Sequence, residues 1–85
     1  MTINEFKKWI MGTEASYRYQ LLSRMKSDCL YFLGNGNGGS KLWGGTIDEH
    51  IEYMETLHDL IVEKPEWLTI EEIQQFKKDM NEAAV

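Results

Sequence analysis

At 85 residues the chain has room for one small domain, and a second independently folded domain is excluded. Fourteen acidic against nine basic side chains give a net charge of -5, a pI of about 4.9 and a mean hydropathy of -0.46, which excludes a nucleic-acid or membrane-surface binder driven by bulk charge alone. Cys29 is the single cysteine, so an internal disulfide and a thiolate zinc site are excluded. The longest apolar run, Cys29 to Leu33, falls far short of the roughly 20 residues of a membrane span.

Three Thr-x-x-Glu boxes, at Thr2/Glu5, Thr46/Glu49 and Thr69/Glu72, each satisfy amide donors at a helix start and divide the chain into helices. The first helix is predicted from Ile3 to about Met11, with Phe6 and Ile10 inward and Gly12 ending it. The second is predicted from near Thr13 to about Leu33, with Leu22, Met25, Cys29, Phe32 and Leu33 as its apolar stripe and Arg18, Arg24 and Lys26 on a basic flank. Residues 34 to 45 hold six of the seven glycines, a density that neither a helix nor an ordinary strand survives. The Asn-Gly pairs there admit a short hairpin pairing Tyr31 to Leu33 with Lys41 to Trp43. The third helix is predicted from Ile47 to about Val62, burying Ile47, Ile51, Met54, Leu57 and Ile61, with Asp48, Glu49, Glu52, Glu55 and Asp59 outside and Pro65 as breaker. The fourth is predicted from Ile70 to about Ala83, burying Ile73, Phe76 and Met80. The expected architecture is all-α: a single domain over residues 1–85, with three main helices, a short N-terminal one and a Gly-rich loop at 34–45.

Gly34-x-Gly36-x-x-Gly39 has the letters of a dinucleotide fingerprint, but a helix rather than a strand feeds it, and the next helix starts seven residues later, so a turn-forming glycine tract is expected and no cofactor. Within that tract, Leu42-Trp43 either folds back as a lid over the core or anchors a partner. Glu49, His50, Glu52, Tyr53, Glu55, His58 and Asp59 are the one cluster of ligand-type side chains. Glu55-x-x-His58 supplies only a quarter of a carboxylate-bridged dimetal site, so a solvated acidic face with two incidental histidines is expected, and no metal. Cys29 lies on an apolar stripe as a small hydrophobe. With no catalytic constellation assembled, the chain is expected not to be an enzyme.

Charge is distributed unevenly. Residues 1–45 carry six Lys/Arg and three Asp/Glu, whereas 46–85 carry three and eleven. Tyr17, Arg18, Tyr19, Gln20, Arg24 and Lys26, with Lys41 and Trp43 on the loop, mix cations with aromatics, a mixture that suits single-stranded nucleic acid or a protein with an acidic surface. The acidic helices, through Glu52, Glu55 and Asp59, suit a basic partner or imitate nucleic acid toward a protein that binds it.

The segment Tyr19 to Gly36, with its Ser27-Asp28-Cys29-Leu30-Tyr31-Phe32-Leu33-Gly34-Asn35-Gly36 string, then Leu42-Trp43, then Lys64-Pro65-Glu66-Trp67-Leu68-Thr69, is similar to the large polyvalent protein-associated domain that stands eleventh in its numbered series. The resemblance covers about residues 17 to 70. It implies a gene carried by bacterial phages, plasmids or other mobile elements, in which such domains occur alone or within very long multifunctional proteins. It implies no known reaction and no catalytic residues. In the family the stretch before Leu-Trp is more polar and basic than Asn37-Gly38-Gly39-Ser40-Lys41, which argues against phosphate binding by the loop itself.

Of the residues that carry the resemblance, Asp28 and Asn35 are expected to fix the helix end and glycine turn by side-chain hydrogen bonds, and Arg24 with Asp28, four apart, to be able to pair. The expected function is a small cytoplasmic adaptor, without a secretory leader, that docks a protein of a mobile element's replication or transfer machinery through Arg18, Arg24, Lys26, Lys41, Trp43 and Trp67. The alternatives are an inhibitor of a host defence nuclease acting through Glu52, Glu55 and Asp59, and an accessory domain for single-stranded nucleic acid.

Overall fold

In the computed structural model, which describes residues 1–34 and 42–83, the capping boxes start helices where the sequence places them. Helix α1 spans Ile3–Met11, α2 Ala15–Gly34, α3 Ile47–Leu60 and α4 Ile70–Ala83. Thr2 and Glu5 form a reciprocal box on α1, and Thr69 and Glu72 do the same on α4. On α3 the box is half formed: the Thr46 hydroxyl accepts from the Glu49 amide and donates to the Glu49 carboxylate.

Two helix ends differ from expectation, each for a local reason. Helix α2 begins at Ala15 rather than Thr13, because the Thr13 amide and hydroxyl both donate to the Ile10 carbonyl and belong to the end of α1. Helix α3 stops at Leu60 rather than near Val62, well before Pro65 acts. Ile61 takes an extended backbone (φ -76°, ψ 122°) and stays buried, while the Lys64 ammonium reaches back to the carbonyls of His58, Asp59 and Ile61 and satisfies the helix end. Val62 is thereby left 93% exposed.

Helix α3 is the centre of the domain and packs against all three other helices, and α2 also packs on α4. The body measures 36 × 28 × 16 Å, so the central helix is covered on several sides within a thin slab. Its buried arc is correspondingly wide, taking in His50, Tyr53 and His58 beside the predicted Ile51, Met54 and Leu57, whereas Ile47 is only half-buried. Phe6 and Ile10 of α1, Leu21, Leu22, Met25, Cys29 and Phe32 of α2, and Ile73 and Met80 of α4 complete the core, with Leu68 in the connection; Phe76 is half-buried. At about 25 cal/mol per Å² of apolar area removed from water, a full core side chain of this kind contributes on the order of 1.5–3 kcal/mol. The hairpin expected to pair Tyr31 to Leu33 with Lys41 to Trp43 does not form, because Tyr31 to Leu33 continue α2, which runs on to Gly34, while Leu42 and Trp43 belong to a turn; Gly36 and Gly39 of the glycine fingerprint, Asn35 and Lys41 lie outside the described residues.

Candidate functional site: the Trp43 turn and the adjoining face of α2

Leu42-Trp43-Gly44-Gly45 forms a tight turn closed by the Gly45 amide donating to the Leu42 carbonyl at 3.1 Å, with Gly45 at φ +97°. Gly44 lies against the first turn of α3. A Cβ on it would sit 2.5 Å from the His50 Cα, 2.8 Å from its N and 3.0 Å from the Tyr53 ring, so the close approach needs glycine. That approach lets the Gly44 amide donate to His50 Nδ1 at 3.1 Å, while His50 Nε2 donates to the Met25 carbonyl of α2 at 3.0 Å. The ring is fully buried and both nitrogens are engaged, which fixes the neutral Nε2–H tautomer. Burial pushes its pKa below the ordinary histidine value, against the opposing pull of the Met25 hydrogen bond and of Asp28. Asp28 Oδ2 accepts the neighbouring Trp43 amide at 3.1 Å. The turn is thus held between α2 and α3, and the histidines are structural parts of the fold rather than incidental groups on a solvated face. His58 likewise donates from Nε2 to the Leu68 carbonyl at 3.2 Å, tying α3 to the connection that leads into α4.

Held this way, the half-buried Trp43 joins an aromatic cluster. Its ring lies 5.7 Å from Phe6 and 5.6 Å from Tyr53, both near edge-on, and stacks on Trp9 at 6.2 Å with 16° between planes. Trp9 in turn meets Tyr17 edge-on at 5.8 Å. Each such pair adds about 0.5–1.5 kcal/mol beyond area burial. The lid reading of Trp43 therefore holds for its inner face. On the outer side, Trp9 and Tyr17 are 38% and 39% exposed, and Trp43 lines a groove with Tyr17, Gln20, Leu21 and Arg24.

The basic flank of α2 is not one surface. Arg18 turns back over the end of α1, donating from Nε to Ile10 O at 3.1 Å and from Nη2 to Met11 O at 3.1 Å and Thr13 O at 2.7 Å. Lys26 donates to the Trp67 carbonyl at 2.6 Å, its ammonium 5.8 Å from the Trp67 ring centroid. Both therefore cap or clamp backbone. Arg24 has no hydrogen-bond or ion-pair partner among the described residues, and Asp28, its expected mate four residues on, serves Trp43 instead. Trp67 lies over Lys26, on a different part of the surface from Trp43. Glu52 and Asp59 are exposed on α3, and Glu55 is half-buried.

Cys29 is buried, its Sγ 3.6 Å from Met54 Sδ, and burial together with the Asp28 charge pushes its thiol up to about 12. Among the described residues no group of three His, Cys, Asp or Glu side chains is placed to hold a metal ion, and no helix is long and apolar enough to cross a membrane.

Sequence reasoning missed Trp9 and the role of His50. Trp9, three residues after Phe6, carries the signal of an apolar residue on the edge of the inward face of α1.

The molecule is a small all-α domain that sets an aromatic groove beside a glycine turn. It belongs to the family of large polyvalent protein-associated domain 11, which matches residues 15–80 and so takes in α2, the Trp43 turn, α3 and most of α4. No curated protein and no solved structure matches the chain.

Proposed function

We propose that the chain is a non-enzymatic accessory module of a bacterial mobile genetic element, docking onto a protein of its DNA replication or transfer machinery. The association with mobile elements follows from the family, and the docking role rests on one observation: the groove between α2 and Trp43 joins solvent-facing aromatic surface to a guanidinium that has no partner among the described residues. Exposed aromatics and arginine are the residue types that concentrate binding energy at protein interfaces. Arg18 and Lys26, which made the flank resemble a phosphate track, are engaged on backbone carbonyls, and this favours a protein over single-stranded nucleic acid as the partner.

The test is affinity capture with the full chain from cells carrying its natural locus, wild type beside Arg24→Glu and Tyr17→Ser, with bound proteins identified. A replication or transfer protein recovered by wild type and lost with both variants supports the reading. Recovery of no partner, or of one retained by both variants, overturns it.

A further inference from the structure

The size and charge of the groove beside Trp43 narrow the chemistry of what can enter it, and this inference rests on the docking role above. It is lined by Tyr17, Trp43, the buried Leu21, Gln20 and Arg24; Trp9, outside the lining, stacks on Trp43 and meets Tyr17 edge-on. The space is about 200 Å³. Pockets for drug-sized ligands run from roughly 300 Å³ upward, whereas a void of roughly 150 Å³ holds benzene. The groove therefore matches one aromatic or branched side chain.

Charge narrows the choice further. A single guanidinium on the rim presents a planar fork that fits one carboxylate bidentately. A nucleic-acid strand needs a row of cations along its phosphates, and of the three cations of α2 only Arg24 has no hydrogen-bond or ion-pair partner among the described residues. Leu21 is buried and Trp43 is held at its amide by Asp28, so these two lining residues are preorganised.

We propose that this groove receives a protein segment in which an aromatic or branched apolar side chain lies next to an Asp or Glu. The ring or branched chain enters between Tyr17 and Trp43, and the neighbouring carboxylate pairs with Arg24. The acidic half of the pair sets which segments are accepted, and the aromatic walls supply contact area.

Acetyl-Glu-Trp-Glu-amide and acetyl-Lys-Trp-Lys-amide, titrated into the isotope-labelled full chain at 0.15 M salt and followed by amide and indole NMR shifts, test this. The expected result is shifts confined to the Trp9 and Trp43 indoles and the backbone of residues 17–24 and 43. The acidic peptide should bind at least about fivefold tighter, and Arg24→Glu should reverse the order. Equal response to the two peptides, no response to either, or shifts centred elsewhere overturns the proposal. So does a stronger response to an oligothymidylate of eight nucleotides, which would make the occupant nucleic acid. These peptide results separate from the broader docking reading: a partner captured from cells and lost with Arg24→Glu and Tyr17→Ser keeps that reading even where the acidic peptide fails.

Discussion

Replacing His50 by Phe tests whether the histidine clamp holds the Trp43 turn. The substitution keeps a ring in the fully buried site and removes both polar contacts, the bond accepted from Gly44 and the bond donated to Met25. Leaving the Gly44 amide without an acceptor costs about 1–3 kcal/mol, and losing the bond to Met25 costs about 1 kcal/mol, because that carbonyl lies within a helix. The sum, about 2–4 kcal/mol, is a large fraction of the stability of a domain this size and corresponds to a fall in Tm of roughly 10–25 °C. Urea unfolding at pH 7.5, followed in parallel by tryptophan fluorescence and far-ultraviolet circular dichroism, measures it, provided the m value is unchanged. The wild-type pH profile supplies a second check. Burial lowers the folded-state pKa of His50 below the roughly 6.5 of the unfolded chain, so between those two values the unfolded state binds more protons. The contribution is therefore whole above about pH 6.5 and is lost as pH falls through the folded value. His50→Phe should flatten that slope. A variant within about 0.5 kcal/mol of wild type, or one that keeps the same slope below pH 6.5, refutes the clamp.

Gly44→Ala should destabilise by about 1–3 kcal/mol, since its Cβ would meet the His50 backbone at 2.5 Å and backbone cannot turn aside as a side chain does; an unchanged Tm would refute the close-packing argument. Arg18→Met and Lys26→Met should each cost about 1–2 kcal/mol in thermal unfolding after allowance for partial solvent exposure, while Arg24→Met stays within about 0.5 kcal/mol; similar losses at all three positions would contradict the division of roles drawn above. Cys29 should resist iodoacetamide at pH 8 in the native protein and react fully in urea; rapid native labelling would show that its thiol is neither buried nor held up near 12.

The helices were legible because their signals are local. A threonine and a glutamate three residues later specify a helix start without help from the rest of the chain, and α1, α3 and α4 begin where those pairs stand. The role of His50 was not legible. On an ordinary surface helix its position flanks the buried stripe, but α3 is covered on several sides, and the residue that completes the contact is a glycine from a turn. The backbone contacts of Arg18 and Lys26 were not legible for a related reason. Their acceptors are carbonyls at the end of another helix and in a connection 41 residues away, and no pattern along α2 announces them. Trp43 was legible as a choice between lid and anchor, and its contacts with Phe6, Trp9 and Tyr53 give it the packing half of that choice.

Those carbonyl contacts change how the charge of the chain bears on the proposed partner. Residues 1–45 carry six cations in sequence, but Arg18 and Lys26 direct their heads to backbone, and Lys41 lies outside the described residues. Among the described residues, Arg24 is the one cation that lines the aromatic groove. One phosphate contact on a single strand contributes a salt slope of about -0.7, too little electrostatic attraction to hold a strand at physiological salt by itself. Stacking on Tyr17 and Trp43 would then have to supply almost all the affinity in a space suited to one ring. A protein segment faces no such deficit, because one inserted side chain and one ion pair are enough to form the centre of an interface whose remaining area comes from neighbouring surface. The Arg18 contacts that close the end of α1 and the Lys26 contact that secures the connection into α4 thus take two of the three α2 cations to backbone, which supports the proposal of a protein segment rather than a nucleic-acid strand as the occupant of the groove.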